Sequence, residues 1–220
     1  TSDVWREVAT RTSARVVLTG LGGDELFFER GVYRDLLANG QLLTLVREAR
    51  LAPLYSTHST RHYLSDAVRS TVPGPLRRLY RRVRPRPHEP PPPWLGESLR
   101  GAFAAHVVSQ APSAPEHLTS HTQRLTWSWL TSPRLTTGIE VLTLDAARRG
   151  FELRHPFLER RLAAFVLSVP WSRRVPSGHM KRLLREAMSP LLPPEIAWRT
   201  GVTSFETEHR STARARLDLL

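Results

Sequence analysis

Two carboxylates that follow a glycine-rich turn are the first residues of this chain whose types and spacing suggest chemistry. Asp24 and Glu25 come directly after the Gly-Leu-Gly-Gly sequence of residues 20–23, and the apolar run before it predicts a strand. Glycines permit a tight turn or the close approach of a ligand. Carboxylates beside such a turn suit Mg²⁺, which carboxylates and phosphates hold together. The alternative is that Asp24 caps a helix and Glu25 complements the helix dipole.

A single lysine far along the chain is the second candidate. Lys181 is the only lysine among 32 basic residues. Apolar residues at helical spacing follow Ser177, which we predict to be the N-cap, so that Lys181 lies in the first turn. Free N–H groups and the positive dipole end make that end of a helix suited to phosphate. The alternative is an ordinary exposed lysine.

The elements around the glycine-rich turn follow a strand–turn–helix order. We predict a strand over residues 15–19, one helix from Asp24 to about Ala38, and a second helix over residues 42–50. Ligands of open α/β sheets bind at the carboxyl ends of strands, where this turn lies. A helix over residues 1–12 leads into the strand and implies an earlier strand, so we expect the sequence to begin within a domain.

Two helices and a charged motif are predicted before Lys181. Thr136 or Thr137 is the predicted cap of a helix that Gly150 stops, and the alternating charged and apolar residues 151–159 follow it. A further helix ends before Pro170 and buries one apolar face. That face consists of Leu158, Leu162, Phe165 and Val166.

Composition limits the class of protein and the partners. The formal net charge is +12, which attracts anions, and the absence of cysteine excludes disulfides, thiolate metal sites and cysteine nucleophiles. No apolar run reaches the length of a membrane span, so we expect a cytoplasmic protein with no membrane partner.

A basic and proline-rich segment divides the chain. Residues 69–88 carry seven arginines and no acid, and prolines follow at 90–93, which predicts an exposed connector. The alternative is a docking surface for an acidic peptide or for nucleic acid. Only Tyr80 supplies an aromatic ring for stacking within the basic run, so we expect no nucleic-acid partner.

Four separated segments together resemble the synthetase domain of the asparagine synthetase family. They are residues 20–27, 152–159, 181–185 and 192–199, and their order is far more specific than any one of them. The resemblance spans residues 1 to about 210 and extends to the β-lactam-forming synthetases and to the macrolactam synthetases (cyclases) of lasso peptide biosynthesis.

This resemblance implies an α/β fold. It is a partial adenine-nucleotide α-hydrolase-like (PP-loop) domain with a predominantly helical C-terminal part. Residues 1–68 would form the C-terminal half of the nucleotide-binding core, residues 69–93 the exposed connector, and residues 94–220 the helical part that carries Lys181.

The resemblance also implies an activity and its residues. Members of the family use ATP and Mg²⁺ to adenylate a carboxylate, and an amine then displaces AMP to give an amide. Asp24 and Glu25 would hold the metal, and Lys181 would hold phosphates and stabilise charge in the transition state. Arg154, which matches the family motif together with Glu152, would be catalytic or would brace the lysine-bearing region. The implied nucleotide-binding residues are Gly20, Leu21, Gly22 and Gly23.

Departures from the family pattern favour a peptide substrate. Asparagine synthetases tend to have an acidic residue at the position of Leu21, and they usually have Gly-Gly-Tyr where this chain has Phe-Glu-Arg at residues 28–30. We therefore expect a lasso-type cyclase that adenylates an Asp or Glu side chain for attack by the N-terminal amine of the same peptide. A leader peptidase and a precursor-peptide recognition protein are its expected partners. Glu140 and Glu116 are candidates for deprotonating the amine.

The Ser-Gly-Gly-x-Asp-Ser loop, which binds pyrophosphate in this family, is absent from the 220 residues. We therefore expect the chain alone to have little or no adenylation activity. Two alternatives are a glutamine-hydrolysing asparagine synthase, which would need an N-terminal cysteine, and a non-enzymatic basic module that binds an acidic peptide.

Overall fold

The structure is a computed structural model that describes residues 10–29, 31–54, 59–71, 96, 99 and 113–200. Most of the helix predicted before residue 12 lies outside the described residues. Most of the basic and proline-rich segment does so as well. The predicted boundaries at residues 69 and 94 stay predictions, and one helix, Thr60–Thr71, extends past the first of them. No helix within the described ranges is long and apolar enough to cross a membrane.

Helices dominate the described residues, and one small parallel sheet pairs a segment near residue 17 with a segment near residue 153. The strands are β1 (Val16–Leu18) and β2 (Glu152–Arg154). The first four helices are α1 (Gly23–Phe27), α2 (Val32–Ala38), α3 (Leu42–Leu51) and α4 (Thr60–Thr71). The others are α5 (His121–Leu130), α6 (Pro133–Ala147), α7 (Arg160–Ser168), α8 (Arg182–Met188) and α9 (Pro194–Ala197). Short 3₁₀ turns lie at Ala52–Leu54, Pro156–Leu158 and Trp171–Arg174.

The sheet places the glycine-rich turn beside the charged and apolar segment of residues 151–159. Strand β1 pairs in parallel with β2, with Val16 opposite Glu152, and the N–H of Thr19 donates to the carbonyl of Arg154 at 2.9 Å. Phe151 is buried and belongs to an apolar cluster that Val17 joins from β1. Because the strands are parallel, the segments that follow them meet at the same end of the sheet.

The prediction of a single helix from Asp24 to Ala38 is wrong, because a non-helical segment separates α1 from α2. Phe28 has extended backbone angles, and Gly31 begins α2 with a φ of 90°. A Cβ on Gly31 would lie 2.9 Å from the carbonyl carbon of His121 at the start of α5. This close approach and the left-handed φ both require glycine, and neither is visible in the helical pattern of the sequence.

Other predicted helices differ in detail. The helix over residues 42–50 is confirmed as α3. Helix α6 begins earlier than predicted, because Ser132 caps it by accepting from the N–H of Leu135, and Thr136 and Thr137 lie within the helix. In α7 Val166 is fully buried, but Phe165 is 59% exposed. The observed buried face is therefore narrower than the predicted one.

Helix α1 is fixed in place by apolar contacts on two sides. Leu26 and Phe27 are buried in a cluster with Val166, and Leu183 and Leu184 of α8 pack against that cluster. The ring of Phe27 also meets the ring of Phe157 edge-on, with centroids 5.8 Å apart. The start of α1, where Asp24 lies, is therefore held against both the end of β2 and the lysine-bearing helix.

Of the three glycines in the turn, Gly22 is the one that close packing requires to be a glycine. It has a φ of 89°, and a Cβ there would lie 2.4 Å from Leu158 Cδ2. A Cβ on Gly23 would lie 3.3 Å from the ring of Phe157, whereas a Cβ on Gly20 would meet nothing within 4 Å. The turn thus packs closely on the 3₁₀ segment after β2.

We predict that Gly22→Ala destabilises the chain while Gly20→Ala is nearly neutral. Left-handed backbone costs an alanine about 1–2 kcal/mol, and the clash with Leu158 adds roughly 1–3 kcal/mol. Urea denaturation of the two variants and the wild type measures the difference. Equal free energies of unfolding for the two variants would contradict the packing described for this turn.

Candidate active site

The structure brings Asp24 and Lys181 into contact. Asp24 lies in the first turn of α1, Lys181 immediately precedes α8, and Lys181 Nζ forms an ion pair with Asp24 Oδ1. The two side chains are 62% and 34% exposed, respectively. The ion pair therefore lies at an open surface, where solvent or a ligand reaches both charges.

The backbone of Lys181 differs from the sequence prediction. Helix α8 begins at Arg182 and not near Ser177, and Lys181 is its N-cap with φ 58° and ψ 38°. Ser177 also has a positive φ, of 49°. A left-handed conformation costs a residue other than glycine about 1–2 kcal/mol. The surrounding contacts must therefore hold Lys181 in this conformation.

A protein carboxylate already occupies the N-terminus of α8. The N–H of Arg182 donates to Oε1 of Glu29 at 2.7 Å. The prediction that free N–H groups at this helix end receive phosphate is therefore wrong for this N–H. The Arg182 side chain binds Glu186 at 2.6 Å and the Ser177 hydroxyl at 2.7 Å.

Glu29 is an unusual buried acid. It is 5% exposed, and its Oε2 atom has no hydrogen-bond partner among the described residues. Burial raises the pKa of Glu29 to about 7, because desolvation outweighs the backbone N–H groups of Lys181 and Arg182 and the charge of Arg174. Sequence reasoning noted residue 29 only as a departure from the family pattern and did not predict its burial.

Arg174 is a second buried side chain that supports the same segment. It is 1% exposed, and its Nη2 donates to the carbonyls of Leu26 at 2.6 Å and of Phe28 at 3.3 Å. Its Nη1 donates to the hydroxyl of Thr126 at 3.1 Å. Burial lowers the pKa of Arg174, and the charges of Glu29 and Asp35 oppose that effect. The sequence analysis missed this residue, because its partners are mostly main-chain carbonyls that no motif encodes.

The turn itself presents few groups that bind a cation. The N–H of Leu21 donates to the Thr19 hydroxyl at 3.3 Å, and the carbonyl of Gly20 accepts from the N–H of Gly23 at 3.1 Å. Glu25 is half-buried and makes no hydrogen bond or ion pair to another described residue. No group of three or more acidic or histidine side chains suited to a metal occurs within the described ranges. Asp24 is exposed and Glu25 is half-buried, and their role as magnesium ligands stays a prediction.

The predicted catalytic residue Arg154 lies at the surface in β2. Its Nε donates to Glu152 at 2.8 Å, and both side chains are about 60% exposed. Glu152 raises the pKa of Arg154 through this hydrogen bond and through its charge. The structure thus joins Arg154 to Glu152 and gives it no hydrogen bond to Asp24 or Lys181. Its catalytic role stays a prediction, and Glu116 and Glu140 are likewise exposed.

Two cavities lie among these elements, and one of them is lined by a residue of the ion pair. One, of about 330 Å³, lies between α8 and α9, and its lining includes the cations Lys181, Arg185 and Arg199. The other, of about 670 Å³, has a mainly apolar lining that includes Leu158, the residue against which Gly22 packs. Lys181 of the ion pair thus lines the smaller hollow, and the larger hollow meets the glycine-rich turn through Leu158.

Comparison with known proteins gives a family match and partial relatives. The family described as asparagine synthase matches residues 3–218. A glutamine-hydrolyzing asparagine synthetase of Mesocricetus auratus is 49% identical over 78 residues, which are 30% of this chain and 14% of that protein. The Homo sapiens protein of the same description is 42% identical over 78 residues, with the same coverage, and the Gallus gallus protein is 46% identical over 65 residues, covering 27% of this chain and 12% of that protein. The matched part is thus a small share of these relatives, and no solved structure matches the chain at a significant level.

The raised pKa of Glu29 predicts a pH dependence of stability. The folded chain keeps a proton on Glu29 between about pH 4.5 and about pH 7, where the unfolded chain has released it. Glu29 therefore stabilises the fold most below the lower value, and this contribution is lost as the pH rises through the upper one. The free energy of unfolding of Glu29→Gln minus that of the wild type should therefore increase from acid to alkaline pH. The expected increase is on the order of 1–3 kcal/mol.

Urea denaturation of Glu29→Gln and wild type across this pH range measures the effect. Glu159→Gln is the control, because the backbone N–H groups of Arg161 and Leu162 lower the pKa of Glu159. Its stabilising contribution is present at neutral pH and lost in acid, so this variant should show the opposite trend. A stability difference between Glu29→Gln and wild type that does not change with pH would show that Glu29 titrates as an exposed acid does.

Proposed function

We propose that this chain, which belongs to the asparagine synthase family, supplies the pyrophosphate-binding side of an ATP-dependent, AMP-forming amide ligase with a nucleotide α-hydrolase-like fold. The observation that carries the proposal is the ion pair of Lys181 with Asp24 at the carboxyl end of β1. A carboxylate for the metal and an ammonium group for the phosphates meet there although most of the chain separates them in sequence.

The reaction develops negative charge on phosphate oxygens, and Lys181 and a metal held by Asp24 would stabilise that charge. A substrate carboxylate attacks the α-phosphorus of ATP and pyrophosphate leaves. An amine then attacks the activated carbonyl carbon, loses a proton and displaces AMP. Bound Mg²⁺ would neutralise charge on the phosphate oxygens, with Asp24 and Glu25 as its protein ligands. Lys181 would hold a phosphate oxygen and stabilise the charge that develops, which is often the largest catalytic contribution.

The ion pair suits an exchange of partners. An exposed pair contributes only about 0–1 kcal/mol to stability, so a ligand that offers stronger charges can separate it at little cost. The Asp24 carboxylate would then turn to the metal and the Lys181 ammonium to a phosphate oxygen. The cations that line the neighbouring hollow, Arg185 and Arg199, add to a field that favours an anion.

A peptide substrate is our specific proposal, with macrolactam formation by a lasso-type cyclase. Leu21 lies in the turn where asparagine synthetases tend to have an acid, and a leucine side chain cannot accept a proton or orient ammonia. The apolar hollow beside the turn, which includes Trp127 and Leu158, suits a peptide better than a single aspartate. A leader peptidase and a precursor-peptide recognition protein are the proposed partners, in the cytoplasm.

Glutamine-dependent asparagine synthesis is the second candidate function. It is favoured by the partial relatives, which are described as glutamine-hydrolyzing asparagine synthetases. The two candidates differ in the amine. The first uses the N-terminal amine of a peptide, and the second uses ammonia released from glutamine.

We predict that Lys181→Met abolishes amide formation by the full-length gene product and leaves the fold intact. Removal of a preorganised charge in the transition state typically costs about 10²–10³-fold in rate. Arg173→Met is the matched control, since it removes one exposed positive charge from the turn before α8. The assay measures AMP release and amide product, with linear acidic peptides in one series and with aspartate plus glutamine or ammonia in the other.

The outcomes separate the proposals. A peptide product that has lost one water supports macrolactam formation, whereas asparagine formed without a cyclised peptide supports the second candidate. If Lys181→Met keeps a turnover close to that of Arg173→Met, the role given to Lys181 is wrong. Circular dichroism of both variants checks that the helices remain.

A further inference from the structure

We propose that Glu29 is a positioning residue that holds Lys181 in the orientation from which its ammonium group reaches Asp24. The inference rests on the proposed function of Lys181 and extends it to a residue that no motif identified. Glu29 touches the backbone of the lysine-bearing segment and not the reacting groups, so it would act through Lys181.

Glu29 contacts the main chain directly beside Lys181. Glu29 Oε1 accepts the N–H of Arg182 at 2.7 Å, which fixes the peptide group that joins Lys181 to Arg182. Lys181 has φ 58° and ψ 38°, a strained combination for a lysine. An anchor on that peptide group opposes its relaxation to an ordinary helical or extended conformation, which would redirect the Lys181 side chain.

One short segment, residues 24–29, holds both the side chain and the main chain of Lys181. Asp24, in α1, binds the ammonium group, and Glu29, in the loop after α1, binds the adjoining main chain. Arg174 fixes this segment by donating to the carbonyls of Leu26 and Phe28. The distance between the two attachment points is therefore set by a buried and hydrogen-bonded piece of structure.

Another buried acid, Asp35, also accepts hydrogen bonds at the start of a helix. Asp35 is 2% exposed and receives three hydrogen bonds at the start of α5, from the N–H of His121 at 2.7 Å and from the N–H and hydroxyl of Thr122 at 2.9 and 2.6 Å. Both of its oxygens are satisfied, as a structural cap requires. Glu29 is buried with Oε2 unpaired, a costly arrangement for stability. A buried polar atom without a partner calls for an explanation other than helix capping alone.

The test uses the single lysine of the chain as a spectroscopic label. In the 220-residue chain with isotope-labelled lysine, one side-chain signal reports on Lys181 alone. Asp24→Asn gives the reference position of that signal without the ion pair. Glu29→Met keeps the length of the side chain and removes the acceptor, Glu29→Gln keeps the acceptor, and Asp35→Leu removes the matched cap at α5.

We expect Glu29→Met to move the lysine signal most of the way to its position in Asp24→Asn, and Glu29→Gln to restore the wild-type position. Asp35→Leu should leave the signal in place even where it lowers stability as much. A wild-type signal in folded Glu29→Met, or an equal displacement in Asp35→Leu, would overturn the proposal.

If Glu29→Met does not fold, hydrogen exchange of the wild-type chain decides. The amide of Arg182 should exchange far more slowly than those of Leu183 and Leu184, which have no hydrogen-bond acceptor among the described residues. Exchange as fast as theirs would overturn the proposal. Neither the lysine spectrum nor the hydrogen exchange is recorded with phosphate or nucleotide in the sample. Failure here is therefore distinct from failure of the proposed function, which the activity of Lys181→Met tests.

Discussion

Two buried charged side chains, Glu29 and Arg174, attach the segment after the glycine-rich turn to the C-terminal half of the described chain. Arg174 donates to carbonyls at the end of α1, and Glu29 accepts the first N–H of α8. Removing either group would leave buried polar atoms without partners, which costs more than the hydrogen bonds themselves contribute. The ion pair of Asp24 with Lys181 is weak and exposed, so its geometry depends on these buried contacts.

Two residues of the site, Gly22 and Lys181, have left-handed backbone angles, and of the two only the lysine is strained by them. Gly22 takes a left-handed φ at no cost because it has no Cβ, and it packs directly on Leu158. Lys181 takes a left-handed φ at a cost, although a glycine would fit the same backbone more easily. A lysine in this place is therefore better explained by its charge than by the stability of the fold.

The sequence predicted the parts of the site that motifs encode. The strand and glycine turn, the carboxylate of Asp24 and the distant Lys181 follow from residue type and order, and the structure brings them together. The break between α1 and α2 and the start of α8 were not predictable, since they depend on contacts of Gly31 with α5 and of Glu29 with Arg182. A helical pattern records which face is apolar, but it does not record a hydrogen bond to a residue far away in sequence.

The central claim is that Asp24 and Lys181 exchange their ion pair for a magnesium-bound pyrophosphate. Titration of the lysine-labelled chain with Mg²⁺-pyrophosphate at constant ionic strength tests it most directly. The account predicts a saturable shift of the one lysine signal, and a loss of that response in Asp24→Asn. A signal that stays unchanged throughout the titration, or an equal response in Asp24→Asn, would contradict it.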